Sequence, residues 1–127
     1  MNILAIDYGS KNIGLAWCQM GVDLILPYGV VKNQKSKVIS QLVEMIESEK
    51  IDLVVVGLPV GLDGGENENT QMIREFGKEL AEASGKKIEF VDERFTSQQA
   101  DNTMGDVSRD EKSAMIILES YLESQKS

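Results

Sequence analysis

Apolar residues in the first third of the chain predict three strands. Residues 1–6 are almost continuously apolar, as in a strand that is buried on both faces of a sheet, and Asp7 follows directly. A second strand-like run covers residues 13–18 after a short turn, and a third covers residues 22–31. Because Pro27 interrupts the third run, we expect that strand at an edge of the sheet, and the short turns predict antiparallel hairpins.

The remaining chain alternates between helical and strand patterns. Apolar residues recur at helical spacing in three segments, 38–49, 70–83 and 108–125. Two apolar runs between these helices, 51–57 and 87–92, predict strands of the parallel type. The sequence therefore predicts one α/β domain over residues 1–127. In this domain, helices flank a five-stranded mixed sheet of three antiparallel strands followed by parallel strands.

The composition limits the chemistry that the chain can perform. Histidine is absent, which excludes Ser-His-Asp and Cys-His nucleophilic arrangements and the common zinc sites. For a hydrolase, carboxylates and a hard, oxygen-binding cation remain as tools. Cys18 is the only cysteine, so no internal disulfide can form, which fits a reducing cytoplasm. Since no segment has the pattern of a signal peptide or a membrane span, we expect a cytoplasmic protein without membrane association.

The charge of the chain is acidic and unevenly distributed. The formal net charge of −8 argues against non-specific binding to polyanions. Residues 1–43 carry four lysines and two aspartates, a net charge of +2, and the remainder carries −10. If the chain has a nucleic-acid-binding surface, we therefore expect it near the amino-terminal third.

Three carboxylates stand at the ends of predicted elements. Asp7 ends the first strand, Glu93 follows the fifth strand, and Asp110 opens the last helix on its apolar stripe. Each acid has an ordinary interpretation. Asp7 can cap a turn, and Asp110 can interact favourably with the helix dipole. Glu93 can pair with the neighbouring Arg94.

The alternative interpretation is that the three acids converge in space. Clustered carboxylates repel one another, so such a set is stable mainly when a cation neutralises it. Two Mg²⁺ ions about 4 Å apart at the cluster would activate a water and stabilise the leaving oxygen of a phosphodiester. The absence of histidine does not affect that mechanism.

Four motifs follow one another along the chain: DYGSKNIGLA (7–16), VVGLPVGLDG (55–64), DERFTS (92–97) and DEKSAMIILESYL (110–122). In this order they resemble the motifs of the YqgF family, also described as RuvC-like Holliday junction resolvases and as pre-16S rRNA nucleases. The resemblance covers nearly the whole chain and implies a ribonuclease H-like fold.

The same resemblance implies a function. It indicates a metal-dependent nuclease of the two-metal-ion type, which uses Mg²⁺ or Mn²⁺. The implied role is maturation of the 5′ end of the precursor of 16S ribosomal RNA, in association with the ribosome. The alternative role is resolution of Holliday junctions in branched DNA. The expected assembly is a monomer or a weak homodimer.

The resemblance also assigns roles to individual residues. The expected catalytic residues and metal ligands are Asp7, Glu93 and Asp110. The expected substrate-binding residues are Gly9, Lys11, Arg94 and Thr96. The glycine would let the backbone approach a phosphate, the two basic side chains would contact phosphate oxygens, and the threonine would add a hydroxyl donor.

Two other functions fit part of the sequence. Actin-like and sugar-kinase ATP-binding domains share the Asp-x-Gly hairpin, but they need a second lobe for which 127 residues leave no space. The chain also lacks a Walker A motif. A non-catalytic module that binds nucleic acid or a protein would keep the family fold while its acidic charge weakens catalysis. Metal binding and the activity of an Asp7→Asn variant separate this module from an enzyme.

Overall fold

Five strands form one mixed sheet with helices on both faces. The computed structural model describes residues 1–19, 21–22, 24–34, 37–58, 68–92 and 108–126, without the side chains of the last residue of the fifth strand and of the last helix. The strands are β1 (Asn2–Tyr8), β2 (Asn12–Gln19), β3 (Ile25–Lys32), β4 (Leu53–Leu58) and β5 (Lys87–Asp92). The helices in the described part are α1 (Val38–Ser48), α2 (Glu68–Ser84) and α3 (Arg109–Lys126).

The strand order across the sheet is β3-β2-β1-β4-β5. The β1–β2 and β2–β3 pairs are antiparallel, whereas the β1–β4 and β4–β5 pairs are parallel. The predicted mixed sheet is therefore confirmed. As expected from its proline, β3 lies at an edge, where Pro27 pairs with Ala16 next to a shift in register. Every residue of β4 is buried, as its uninterrupted apolar run indicated.

The sheet separates two apolar cores, because successive side chains of a strand point to opposite faces. Leu4 and Ile6 of β1 belong to the larger core, which also contains buried residues of α1 and α2. Ile3 and Ala5 belong to the smaller core, to which only α3 contributes helical residues in the described part. Within the described residues, all helical side chains in the smaller core thus come from a single helix.

Local backbone and side-chain contacts fix the end of α2 and the start of α3. Gly85 follows α2 with a φ of +71°, a conformation that glycine adopts without strain, and its N–H donates to the carbonyl of Ala81. At the start of α3, the N–H of Glu111 donates to Ser108 Oγ at 3.2 Å. The Ser108 hydroxyl donates in turn to Glu111 Oε1 at 2.8 Å, which fixes the first turn of α3.

Candidate active site

Two carboxylates from distant parts of the sequence meet where β1 ends. Asp7 pairs across the β1–β2 hairpin with Gly14. A side-chain carbon added at Gly14 would overlap the backbone carbonyl of Asp110 and would lie 2.9 Å from its Cβ. The missing side chain therefore lets the first turn of α3 approach β2, and this contact holds Asp110 next to Asp7.

The electrostatics of Asp7 reflect this neighbourhood. Burial raises the pKa of the Asp7 carboxyl from its ordinary value of 3.8 to about 6, and the negative charge of Asp110 adds to the increase. The Ser113 hydroxyl donates a hydrogen bond to Asp7 and lowers the pKa in part. Within the described residues, neither carboxylate forms an ion pair with a lysine or an arginine. The described residues around Asp7 therefore stabilise its negative charge poorly.

The turn between β1 and β2 borders the acid pair and is attached to β3. Gly9 has no space for a side chain, because the Asn12 carbonyl occupies the position that a Cβ would take. Asn33 Nδ2 donates to the Gly9 carbonyl and the Asn33 N–H donates to the Lys11 carbonyl, each at 2.9 Å. These two bonds fix the backbone of the turn, while the Lys11 side chain stays exposed.

Four of the seven residues expected in the site fall within the described part. Asp7 and Asp110 are brought together, and Gly9 and Lys11 lie in the adjoining turn. The other three, Glu93, Arg94 and Thr96, lie outside the described residues. β5 ends immediately before Glu93 and is parallel to β1 and β4, so the last residue of β5 stands at the same edge of the sheet as Asp7.

Two contributors to the site were not predicted from the sequence. Ser113 follows Asp110 by three residues, and this spacing places the two side chains on neighbouring positions of one helix face. Gly14 stands opposite Asp7 in the β1–β2 hairpin. The length of the short hairpin turn sets the register, so it is the feature of the sequence from which this pairing could have been deduced. Neither residue type suggests a role by itself, because serine and glycine are common in helix starts and strands.

The acid pair fits a hard divalent cation by its chemistry. Its donors are carboxylate oxygens, which Mg²⁺ and Mn²⁺ prefer. A cation would also offset the burial and the repulsion from Asp110, which together raise the pKa of Asp7. The described residues contain no group of three or more His, Cys, Asp or Glu side chains placed to hold a metal ion. The pair thus supplies two ligands, and the third expected ligand lies beyond the end of β5.

Comparison with known proteins identifies the family. The sequence profile of "RuvX: Holliday junction resolvase" matches residues 1–124. The chain belongs to the RuvX family. This confirms the resemblance that the four motifs carry. Family membership supports a nuclease, that is, a phosphodiester hydrolase.

Individual relatives of this RuvX-family chain align over almost their full length. The "Putative pre-16S rRNA nuclease" of Maridesulfovibrio salexigens is 33% identical over 132 residues, which cover 96% of this chain and 98% of the relative. The protein of the same name from Dictyoglomus thermophilum is 33% identical over 139 residues, with coverages of 98% and 96%. The Rickettsia felis protein of that name is 34% identical, and the alignment covers 98% of this chain and 87% of the Rickettsia protein.

Solved structures share the fold of this RuvX-family chain. RuvC of Thermus thermophilus in complex with a Holliday junction substrate superposes with a TM-score of 0.70 at 14% identity, covering 99% of this chain and 96% of RuvC. The fowlpox virus Holliday junction resolvase gives a TM-score of 0.63 at 16% identity, with coverages of 98% and 99%. At such identities the likeness concerns the ribonuclease H-like fold alone. No helix in the described ranges has the length and apolar character needed to cross a membrane.

Proposed function

We propose that this protein is a metal-dependent nuclease that hydrolyses phosphodiester bonds at the 5′ end of precursor 16S ribosomal RNA. Two findings support the proposal. Relatives about one-third identical over nearly the whole chain carry the name of a pre-16S rRNA nuclease. The observation that carries the argument is the contact of Asp7 with the start of α3, because it assembles two oxygen ligands at the edge of the sheet.

In this proposal Asp7, Asp110 and Glu93 hold Mg²⁺ or Mn²⁺. When bound, two such ions would lower the pKa of a water and stabilise the leaving oxygen of the phosphodiester. Asp7 stands at the end of β1 next to Asp110, so these two carboxylates would both be available to a bound cation. The Ser113 hydroxyl donates to the Asp7 carboxylate and thereby favours its ionised form, which is the form that binds a cation.

In this proposal four residues would hold the substrate. Lys11 and Arg94 would contact phosphate oxygens, and Thr96 would add a hydroxyl donor. Gly9 lies in a turn whose backbone is fixed by Asn33, so this part of the site is rigid before substrate arrives. A rigid turn loses little conformational entropy on binding.

A side-by-side cleavage assay tests the proposal. Purified protein is incubated with precursor 16S rRNA and with a synthetic four-way DNA junction in Mn²⁺ buffer, and in buffer with EDTA. We expect metal-dependent cleavage of the RNA that is lost in Asp7→Asn, Glu93→Gln and Asp110→Asn. The control variant is Glu82→Gln, which removes an exposed carboxylate on α2. Cleavage that persists in EDTA contradicts the metal dependence. Cleavage that persists in one of the three site variants contradicts the catalytic role of the residue replaced in that variant.

Resolution of Holliday junctions is the second candidate function. The family description names this activity, and the fold neighbours include resolvases. Symmetric cutting of a junction requires two active sites, so this function predicts a dimer on the DNA. Cleavage of the junction but not of the RNA would select the resolvase. Binding of either substrate without any cleavage would indicate a non-catalytic module.

A further inference from the structure

Lys32 is an exposed lysine at the outer end of β3. It pairs with Asn12 at the start of β2, directly beside the turn that contains Lys11. Neither lysine has a carboxylate partner within the described part of the chain. Both are therefore available to an anionic ligand as far as the described residues are concerned.

The register of the sheet places Lys32 on the same face as the acid pair. Asp7, Gly14 and Val30 form one row across β1, β2 and β3. Lys32 is two residues beyond Val30, and side chains two residues apart in a strand point to the same face. Val31, between them, packs against the larger core on the opposite face. The positions of Lys32 and Asp7 are thus about 12 Å apart, given two strand spacings across and two residues along.

Helix α3 leaves the side chain of Lys32 exposed to solvent. Asp110, at the start of the helix, contacts Gly14, and the helix then runs toward Tyr121, which hydrogen-bonds Glu89 of β5. Lys32 stands on β3, the edge strand of the sheet. A chain of phosphates that passes from the acid pair over the turn can therefore reach the Lys32 side chain.

Lys11 and Lys32 are held as a pair by backbone contacts. The residue after Lys32 is Asn33, and its N–H and side-chain amide both bond to carbonyls of the turn. The spacing of the two lysine backbones is therefore fixed, and only their side chains adapt to a ligand. Two exposed cations at a fixed spacing suit successive phosphates of one nucleic-acid strand.

The sequence around Lys32 is positively charged. From residue 24 to residue 43 it contains three lysines and no acid. A polyanion is attracted to a segment of this charge, which favours a path for the strand toward β3.

We propose that Lys32 and Lys11 bind consecutive backbone phosphates, so that the substrate strand leaves the acid pair across the outer ends of β2 and β3. The inference rests on the proposed nuclease function and adds a path for the strand and a binding residue, Lys32. Because phosphate contacts carry no base identity, this surface contributes affinity and orientation but no sequence specificity.

The salt dependence of binding tests the path. A fluorescently labelled RNA covering the 5′ end of precursor 16S rRNA is titrated with protein at several salt concentrations, with Ca²⁺ in place of Mg²⁺, and a gel checks that the RNA stays intact. Lys32→Gln should weaken binding several-fold and reduce the slope of log affinity against log salt by about 0.7–0.9, the value for one lost phosphate contact. The Lys11→Gln, Lys32→Gln double variant should lose about twice as much slope.

The matched control is Lys50→Gln. Lys50 is exposed beside the start of β1, at the opposite end of the sheet, and its loss changes the net charge equally. Lys32→Arg keeps the charge and should keep the slope. Equal slopes for Lys32→Gln and Lys50→Gln, with wild-type protein binding the RNA, would overturn the proposed path alone. If wild-type protein does not bind the RNA at any salt concentration, the proposed function fails together with the path.

Discussion

Replacing Asp7 by asparagine isolates the free-energy cost of ionising Asp7, which comes first from its burial and then from the charge of Asp110. Asparagine has the shape of the protonated acid and carries no charge. It can accept the hydrogen bond from Ser113 and donate one to Asp110. In metal-free buffer the variant should therefore be more stable than the wild type wherever Asp7 is ionised, although it loses a residue of the proposed active site.

The pKa of Asp7 sets both the size and the pH range of this effect. The value rises from 3.8 in the unfolded chain to about 6 in the folded protein. A shift of that size corresponds to about 3 kcal/mol, and partial exposure of the carboxylate reduces the expected value to about 2 kcal/mol. Below pH about 4 both states hold the proton and the cost is absent. Between pH 4 and pH 6 the unfolded chain releases the proton while the folded protein keeps it, so the free energy of unfolding of the wild type falls as the pH rises. Above pH 6 Asp7 is ionised in both states and the full cost applies.

Urea unfolding between pH 4 and pH 8 in EDTA measures the effect. Trp17 is the only tryptophan and packs against the larger core, so its fluorescence follows unfolding. The free energies of unfolding of Asp7→Asn and wild type should converge at pH 4 and differ by about 2 kcal/mol at pH 8. Glu82→Gln, which removes an exposed carboxylate, should show no such divergence. Acids that do not interact with Asp7 are shared by both proteins, so they cancel in the comparison.

Two results would refute the reasoning. A difference between variant and wild type that stays constant from pH 4 to pH 8 would mean that Asp7 does not titrate as its surroundings require. A variant that is less stable than the wild type at pH 8 would mean that neither the burial of Asp7 nor the charge of Asp110 destabilises the ionised carboxylate. Addition of Mg²⁺ at pH 8 should raise the stability of the wild type more than that of the variant, because the variant lacks a proposed ligand.

Three further substitutions probe the site and the packing around it. Gly14→Ala should displace the first turn of α3, lower the free energy of unfolding by about 1–3 kcal/mol and reduce cleavage strongly. Full activity would mean that cleavage does not depend on the close contact between β2 and the first turn of α3. Ser113→Ala removes the hydroxyl that lowers the pKa of Asp7, so the acid limb of the pH–rate profile should move to higher pH; an unmoved limb would contradict the hydrogen bond. The Tyr121 hydroxyl donates a hydrogen bond to Glu89. Burial is the main reason why the pKa of the Tyr121 phenol rises to about 12, and the bond to Glu89 adds to the increase. Tyr121→Phe should lower the free energy of unfolding by about 1–3 kcal/mol and leave cleavage intact. An unchanged free energy of unfolding would mean that the bond between Tyr121 and Glu89 is exposed to solvent.

The fold could be predicted because its signals are local. Uninterrupted apolar runs distinguish the central strands from the others, and Pro27 marks the edge strand. Helical spacing and terminal residues such as Gly85 set the helix ends to within about two residues. These features depend on neighbouring residues along the chain, which the sequence displays directly.

The site could be predicted only in part, because its geometry depends on contacts between distant segments. Asp7 and Asp110 stand out as acids at element ends, and the structure brings them together. Gly14 matters only because α3 packs on β2, and Ser113 matters only because that packing turns it toward Asp7. A glycine in a strand and a serine in a helix have many ordinary explanations until the third element is in place.

The division of the protein into two cores has a consequence for how it loses function on heating. α3 provides all the described helical side chains of the smaller core and also carries one of the two paired acids. If that helix detaches, the acid pair separates while the sheet and the larger core remain folded. Thermal inactivation should then begin below the temperature at which the tryptophan signal changes, so an enzyme sample can look folded after it has stopped cutting.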